Sequence, residues 1–281
     1  MISKTHSRCV AFRPSTVALS ALFLLGLATT FGCSSPKGHF INSQGQPLLE
    51  MDYLWEDLNE VFPGALPQRV KIVWVSGLHS SFMIDSNAIG IPSHMKSHIR
   101  RGKICRELTH LALHSLSGGD SKTPGRCFDN DIAFLEQAIA GYIDRRAADI
   151  LDKELAAARV QAAGMFRNNT LSITDLRDWE SFFFRGFWSD QYTQWNLDGL
   201  RILMTLGDYL ERNIGLSKMV PVFESLGEGH SLDQAFSDVL KTRLDTHLKA
   251  WRDELLAAVP DAAVEPEEKN TNPEQETASS E

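Results

Sequence analysis

Apolar positions first recur at helical spacing in residues 48–61, where Leu49, Tyr53, Leu54, Leu58 and Val61 fall on one face. Pro63 and Gly64 break that pattern. Residues 70–75, Val-Lys-Ile-Val-Trp-Val, read as a strand by their β-branched content. Two shorter strands follow, 82–85 and 88–91, divided by the turn-forming run Asp85-Ser86-Asn87. From there the spacing turns helical and stays so. Residues 103–115 form one predicted helix, stopped by Ser117-Gly118-Gly119-Asp120. Residues 131–159 form a second, long helix with Asn130 or Asp131 as its cap. Its charged, alanine-rich part, 144–159, reads as a solvated face. Residues 177–188 carry a dense aromatic group that reads as core or as the wall of a groove. Four further helices are expected over 196–213, 216–226, 231–240 and 243–257, with Ser231 capping the third. A small N-terminal sheet followed by helices is an α+β layout.

The two ends follow other rules. Lys4, Arg8 and Arg13 precede an apolar run over 15–31, shorter than the roughly 20 residues a bilayer span needs. It closes at Gly32-Cys33-Ser34. A small residue before a cysteine at that place resembles the lipobox of bacterial lipoproteins, although Thr30 and Phe31 depart from it. The resemblance implies a signal peptide over 1–32, lipidation at Cys33 and a tether over 33–47. Ser34 after the cysteine implies retention at the outer membrane, facing the periplasm. The alternatives are an uncleaved anchor or ordinary secretion. Residues 259–281 are acidic, with almost no large apolar side chains, and read as a disordered tail. The folded part is expected over 48–258.

Composition narrows the function classes. The 281-residue chain has a formal charge of -8, which argues against nucleic acid as a partner. Of its four cysteines, Cys9 would leave with the signal and Cys33 would carry lipid. Cys105 and Cys127 remain, an even pair in an oxidising compartment. They are expected as a disulfide worth roughly 3 kcal/mol, or else as two separate buried thiols.

The candidate chemistry lies in Arg106-Glu107-Leu108-Thr109-His110. This stretch resembles the H-E-x-x-H helix of zinc metallopeptidases, with Arg106 in place of the first histidine. In that motif, residues i and i+4 share a helix face and grip zinc, while the glutamate activates water. Phe134–Tyr142 resembles the W-L-x-E-G-L-A-x-Y helix of gluzincins, with Gln137 at the position of the third ligand. Tyr192, Leu210–Gly215, Gly229–Phe236 and Trp251 follow in the order of a peptidase-MA-like helical half. The resemblance covers about 70–255 and implies a zincin-like fold, with a small sheet and a helical C-terminal subdomain.

The departures bear on function. A guanidinium has no lone pair for zinc and stays charged. A neutral amide replaces carboxylate poorly. His110 is left as a vestigial ligand and Glu107 as a vestigial general base, so no resident cofactor is expected. Glu136 is one helical step from Gln137 and is expected to point elsewhere. A rearranged zinc site could instead draw on Glu107, His110 and His114, or on Glu136, with His79, His94 and His98 as more distant candidates. Arg106 could pair with Glu107 or Glu136 and fill the place of the ion. The resemblance would put Tyr192 near the cleft, with core packing as the alternative. The expectation is a lipid-anchored envelope protein, non-catalytic, that binds a peptide, cell-wall or protein ligand. The alternative is an active zinc peptidase with unorthodox ligands.

Overall fold

The computed structural model describes residues 38–77, 80–120, 122–178 and 192–260. The expected signal peptide, Cys33, most of the aromatic group at 177–188, and the tail from 261 lie outside the described residues.

Four strands form one sheet, β1 Phe40–Ile41, β2 Val70–Val75, β3 Phe82–Asp85 and β4 Ala88–Pro92, in the order β1-β2-β4-β3. β1, β2 and β4 are parallel, and β3 lies antiparallel on the β4 edge. Helix α1, Asp52–Val61, connects β1 to β2. The β3–β4 turn is an Asx-turn, with the Asn87 N–H donating to Asp85 Oδ1 at 2.8 Å. β1 falls inside the stretch expected as tether. Phe40 is fully buried there and pairs with Val70, so the fold already includes β1, well before the expected start at residue 48. Two strand residues between a signal and a helix are too few to produce a periodic pattern.

Along β2 and β4, Ile72, Ile89 and Ile91 point into the core, and helix α2, Ser97–Leu116, packs across that face. Helix α2 begins six residues earlier than the apolar spacing suggested, because its first turns are polar and exposed. The predicted helix over 131–159 is two helices, α3 Asn130–Ala147 and α4 Leu151–Arg167. Asp149 breaks it in the left-handed region at φ 60, with its N–H on the Arg146 carbonyl and the Ile150 N–H on Arg145. That is the Schellman stop usually given to glycine. Gly118 ends α2 the same way, as the sequence indicated.

A short α5, Ile173–Arg177, starts with a Ser172/Asp175 capping box. It is followed by α6 Tyr192–Asn213, α7 Val220–Gly227, α8 Leu232–Leu240 and α9 Leu244–Ala258. Ser231 caps α8 as expected, accepting from the Gln234 N–H at 3.3 Å. Helix α3 is the central element, packed on α2 at one side and on α6 at the other. Trp251 of α9 is buried edge-on against Phe166, and its indole N–H donates to Thr205 Oγ1 at 3.2 Å. A small sheet beside a larger helical layer is the architecture the pattern predicted. Among the described residues, no helix is long and apolar enough to cross a membrane.

Candidate functional site

Helices α2 and α3 run antiparallel, and three pairs of polar side chains cross between them, beside a hydrogen bond from Arg101 Nε to the Ala147 carbonyl. Lys103 Nζ donates to Asp144 Oδ2 at 2.5 Å. Arg106 Nη2 donates to Gln137 Oε1 at 2.5 Å. His110 Nδ1 and Glu136 Oε1 lie 2.5 Å apart. The partner number on α3 falls as the number on α2 rises, which is the signature of an antiparallel seam.

The sequence placed Arg106, His110 and Gln137 at equivalent ligand positions on two helices; Arg106 and Gln137 do meet, while His110 meets Glu136. Glu136 departs from expectation. It is 1% exposed and faces His110 rather than pointing elsewhere. A seam between packed helices is wide enough for adjacent positions to flank it on either side, so Gln137 meets Arg106 while Glu136 meets the residue one turn on. With Glu136 ionised, the proton sits on His110 Nδ1, leaving Nε2 as the acceptor. Arg106 pairs with Glu107, one of the two carboxylates expected for it, but not with Glu136. Its hydrogen bond goes to the neutral amide of Gln137, and its Nε is 3.8 Å from Glu107 Oε1.

Glu107 is buried and accepts from Ser81 Oγ at 2.7 Å. His114 is buried and fully engaged. Its Nδ1 accepts the Gly125 N–H at 3.1 Å, so its Nε2 carries the proton and donates to the Asp120 carbonyl, also at 3.1 Å. His114 therefore fastens the loop after α2 and has no lone pair left for a metal. Among the described residues, no three histidine, cysteine or acidic side chains converge as a metal-holding group. His94 and His98 are exposed. His79 lies outside the described residues, and so does the side chain of Tyr192, the first residue of α6.

The donor set does not fit zinc. A fixed cation occupies the first ligand position, and the amide at the third is already committed to that cation. One imidazole, already fixed by a carboxylate, remains.

Beside Arg106 opens a cavity of about 310 Å³, lined by Ser81, Lys103, Arg106, Asp144, Arg145 and Arg201. Burial lowers the Lys103 pKa, opposed by the Asp144 carboxylate. Asp144 is only 2% exposed and also takes Arg145 at 3.0 Å, while Arg145 reaches Glu154 at 2.6 Å. The solvated face expected from 144 onward therefore starts after Asp144. Gly102 makes this possible, because a Cβ there would lie 2.6 Å from Asp144 Oδ1. Sequence reasoning missed Ser81, Lys103 and Asp144. The one available signal was Lys103 standing three residues before Arg106 on the same helix face. A larger cavity, about 430 Å³, lies between α1, α2 and α3, with Tyr53, Leu58, Cys105 and Ile143 in its wall. It is lined by Arg101 and Ala147, whose hydrogen bond also joins α2 to α3, but by none of Lys103, Arg106, His110, Glu136, Gln137 and Asp144, so the smaller cavity is the candidate site.

Cys105 and Cys127 are both free and buried, which corrects the expected disulfide. Cys127 donates its N–H to Ser117 Oγ at 3.1 Å, at the far end of α2. Twelve helical residues separate 105 from 117, about 18 Å along the axis, whereas a disulfide holds Cα atoms within about 7 Å. Burial pushes the Cys105 thiol up to about 12 and raises that of Cys127 as well. A urea melt should therefore give the same midpoint with and without reductant. Loss of the roughly 3 kcal/mol expected of a disulfide closing that loop would show the thiols are paired.

Comparison with protein-family models, curated proteins and solved structures finds no match to this chain.

Proposed function

We propose that this chain is an envelope lipoprotein, held at the outer membrane facing the periplasm, whose zincin-like helix pair serves binding rather than hydrolysis. The Arg106–Gln137 hydrogen bond carries the reading. Two positions that a gluzincin would give to metal ligands are joined to each other by a cation and an amide. Such a pair links α2 to α3 without an ion. It leaves Glu107, the residue that would activate metal-bound water, as the acceptor of a serine hydroxyl.

The cavity beside it is polar and holds Lys103, Arg106, Arg145 and Arg201. That lining favours a ligand presenting a carboxylate, as peptides and cell-wall peptide fragments do. Arg106 is hydrogen-bonded across the seam to an uncharged amide, with the Glu107 carboxylate 3.8 Å from its Nε, and Arg201, the most exposed of the four cations, is the group most open to such a ligand.

The test is elemental analysis of the full chain, purified without chelator or histidine tag and then dialysed against zinc. The expected result is far less than one zinc per chain. Stoichiometric zinc would overturn the reading and favour the alternative of an active metallopeptidase with a rearranged site.

A further inference from the structure

The sheet has two faces, and α2 lies against one of them. The other carries Ile41 and Lys71 paired across β1 and β2, then Val73, Gly90 and Phe82 side by side across β2, β4 and β3. Phe82 is 39% exposed and Ile84, two residues on, is 44% exposed. The Phe82 ring lies over Gly90, where a Cβ would come within 2.5 Å of the ring. Val73 and Val75 are half-buried and outside the core cluster. Ala88, Gly90 and Pro92 of β4 are buried, so the face is open at β2 and β3, and among the described residues α2 is the helix that packs on the sheet; an exposed apolar patch of this kind marks an interaction site.

The length of chain before the fold indicates what covers it. Gly38 already belongs to the fold, and Cys33 is five residues earlier. Five extended residues reach at most about 18 Å. Three strand spacings, from β1 to β3, span about 14 Å. A lipid on Cys33 would thus hold a bilayer surface within about 18 Å of Gly38, a distance of the same order as the width of the sheet.

Charge selects the face. Helix α1, the other element near Gly38, presents Asp52, Glu56, Asp57 and Glu60, which anionic headgroups repel. The open sheet face presents Lys71, with Arg69 exposed at its edge. Asp85, at the rim, is turned into the β3–β4 turn, where it accepts the Asn87 N–H.

We propose that the open sheet face, through Ile41, Lys71, Val73, Phe82 and Ile84, docks on the bilayer that carries the lipid of Cys33. The inference rests on the lipoprotein reading and adds a second, protein-mediated contact to the anchor. Tethering keeps the local concentration of surface high, so weak apolar contacts suffice.

The test uses the full lipidated chain in vesicles of phosphatidylethanolamine and phosphatidylglycerol containing doxyl-labelled lipid. A fluorophore is attached through Ile84→Cys or, as a control, through Val160→Cys, which replaces a residue 39% exposed on α4. The buried thiols of Cys105 and Cys127 stay unlabelled. Lipid quenching at 84 should exceed that at 160 by about threefold or more, and Lys71→Glu should reduce it. A mass showing no lipid on Cys33 would overturn the lipoprotein reading and the docking with it. Lipid on Cys33 with equal quenching at both positions would overturn the docking alone. Shielding at 84 that persists in detergent would show a second copy of the chain on this face and would also overturn it.

Discussion

The double variant Arg106→His with Gln137→Glu is expected to retain one zinc per chain through dialysis, whereas the unaltered chain retains none. The expectation follows from the α2–α3 seam. Positions 106 and 110 stand one helical turn apart on α2, and 137 faces 106 across a 2.5 Å hydrogen bond. Two imidazoles and a carboxylate at these positions form the three-ligand set of a catalytic zinc, with the fourth place open to water. Glu136 already sits on His110 Nδ1 and would fix the tautomer that offers Nε2 to the metal. The single variants separate the terms. Gln137→Glu alone exchanges an amide for a carboxylate beside Arg106, forming an ion pair that excludes the metal. Arg106→His alone removes the cation but leaves an amide as third ligand. The double variant should bind zinc at least about a hundredfold more tightly than either single one, read by competition with a chromogenic chelator. A double variant that stays folded by thermal melt but holds no zinc would show that the seam lacks zincin ligand geometry. The family resemblance would then fail, whatever the binding function.

The fold was legible where periodicity and turn chemistry agreed. The strands β2, β3 and β4 and the stop at Gly118 all follow from local rules. The break at Asp149 was not legible, because an aspartate in the left-handed region looks like any charged residue of a solvated helix. β1 was hidden because its partner Val70 is about thirty residues away, and pairing at that range leaves no local trace. The site divided in the same way. Helical spacing put Arg106, His110 and Gln137 in the right neighbourhood, but a rotation of about 100° per residue was too coarse a rule to exclude Glu136 from a seam that both 136 and 137 line. Cys105 and Cys127 show the converse error. Their count suggested a bond that the length of α2 forbids.

Two glycines on the α3–α6 interface should respond oppositely to alanine, and the difference measures how rigidly the site's central helix is held. Gly207 of α6 has no room for a methyl group. A Cβ there would overlap the Ala138 carbonyl oxygen and lie 2.6 Å from Tyr142 Cβ. The first obstacle is backbone, so relief requires α6 to move away from α3. Alanine gains about 1 kcal/mol in helix propensity over glycine, but overpacking a buried seam costs up to about 3 kcal/mol or more. The cost wins because the methyl group meets a carbonyl that cannot swing aside. Gly207→Ala should therefore lower stability by about 2 kcal/mol, a fall of roughly 4–8 °C in Tm for a domain of this size. Gly141 of α3 faces the same partner helix with its nearest atoms, Leu200 O and Met204 Cβ, at 3.9 Å. That is ordinary contact, so Gly141→Ala should be neutral or stabilising by about 0.5–1 kcal/mol. Helix α3 also carries Glu136, Gln137 and Asp144, so a forced shift at Ala138 would disturb the polar pairs to α2. Gly207→Ala should thus weaken ligand binding at the Arg106 cavity as well as stability, whereas Gly141 lines that cavity and its variant is compared by stability alone. Equal urea midpoints for the two variants would show that α6 can yield, and that packing on α6 does not fix the position of α3.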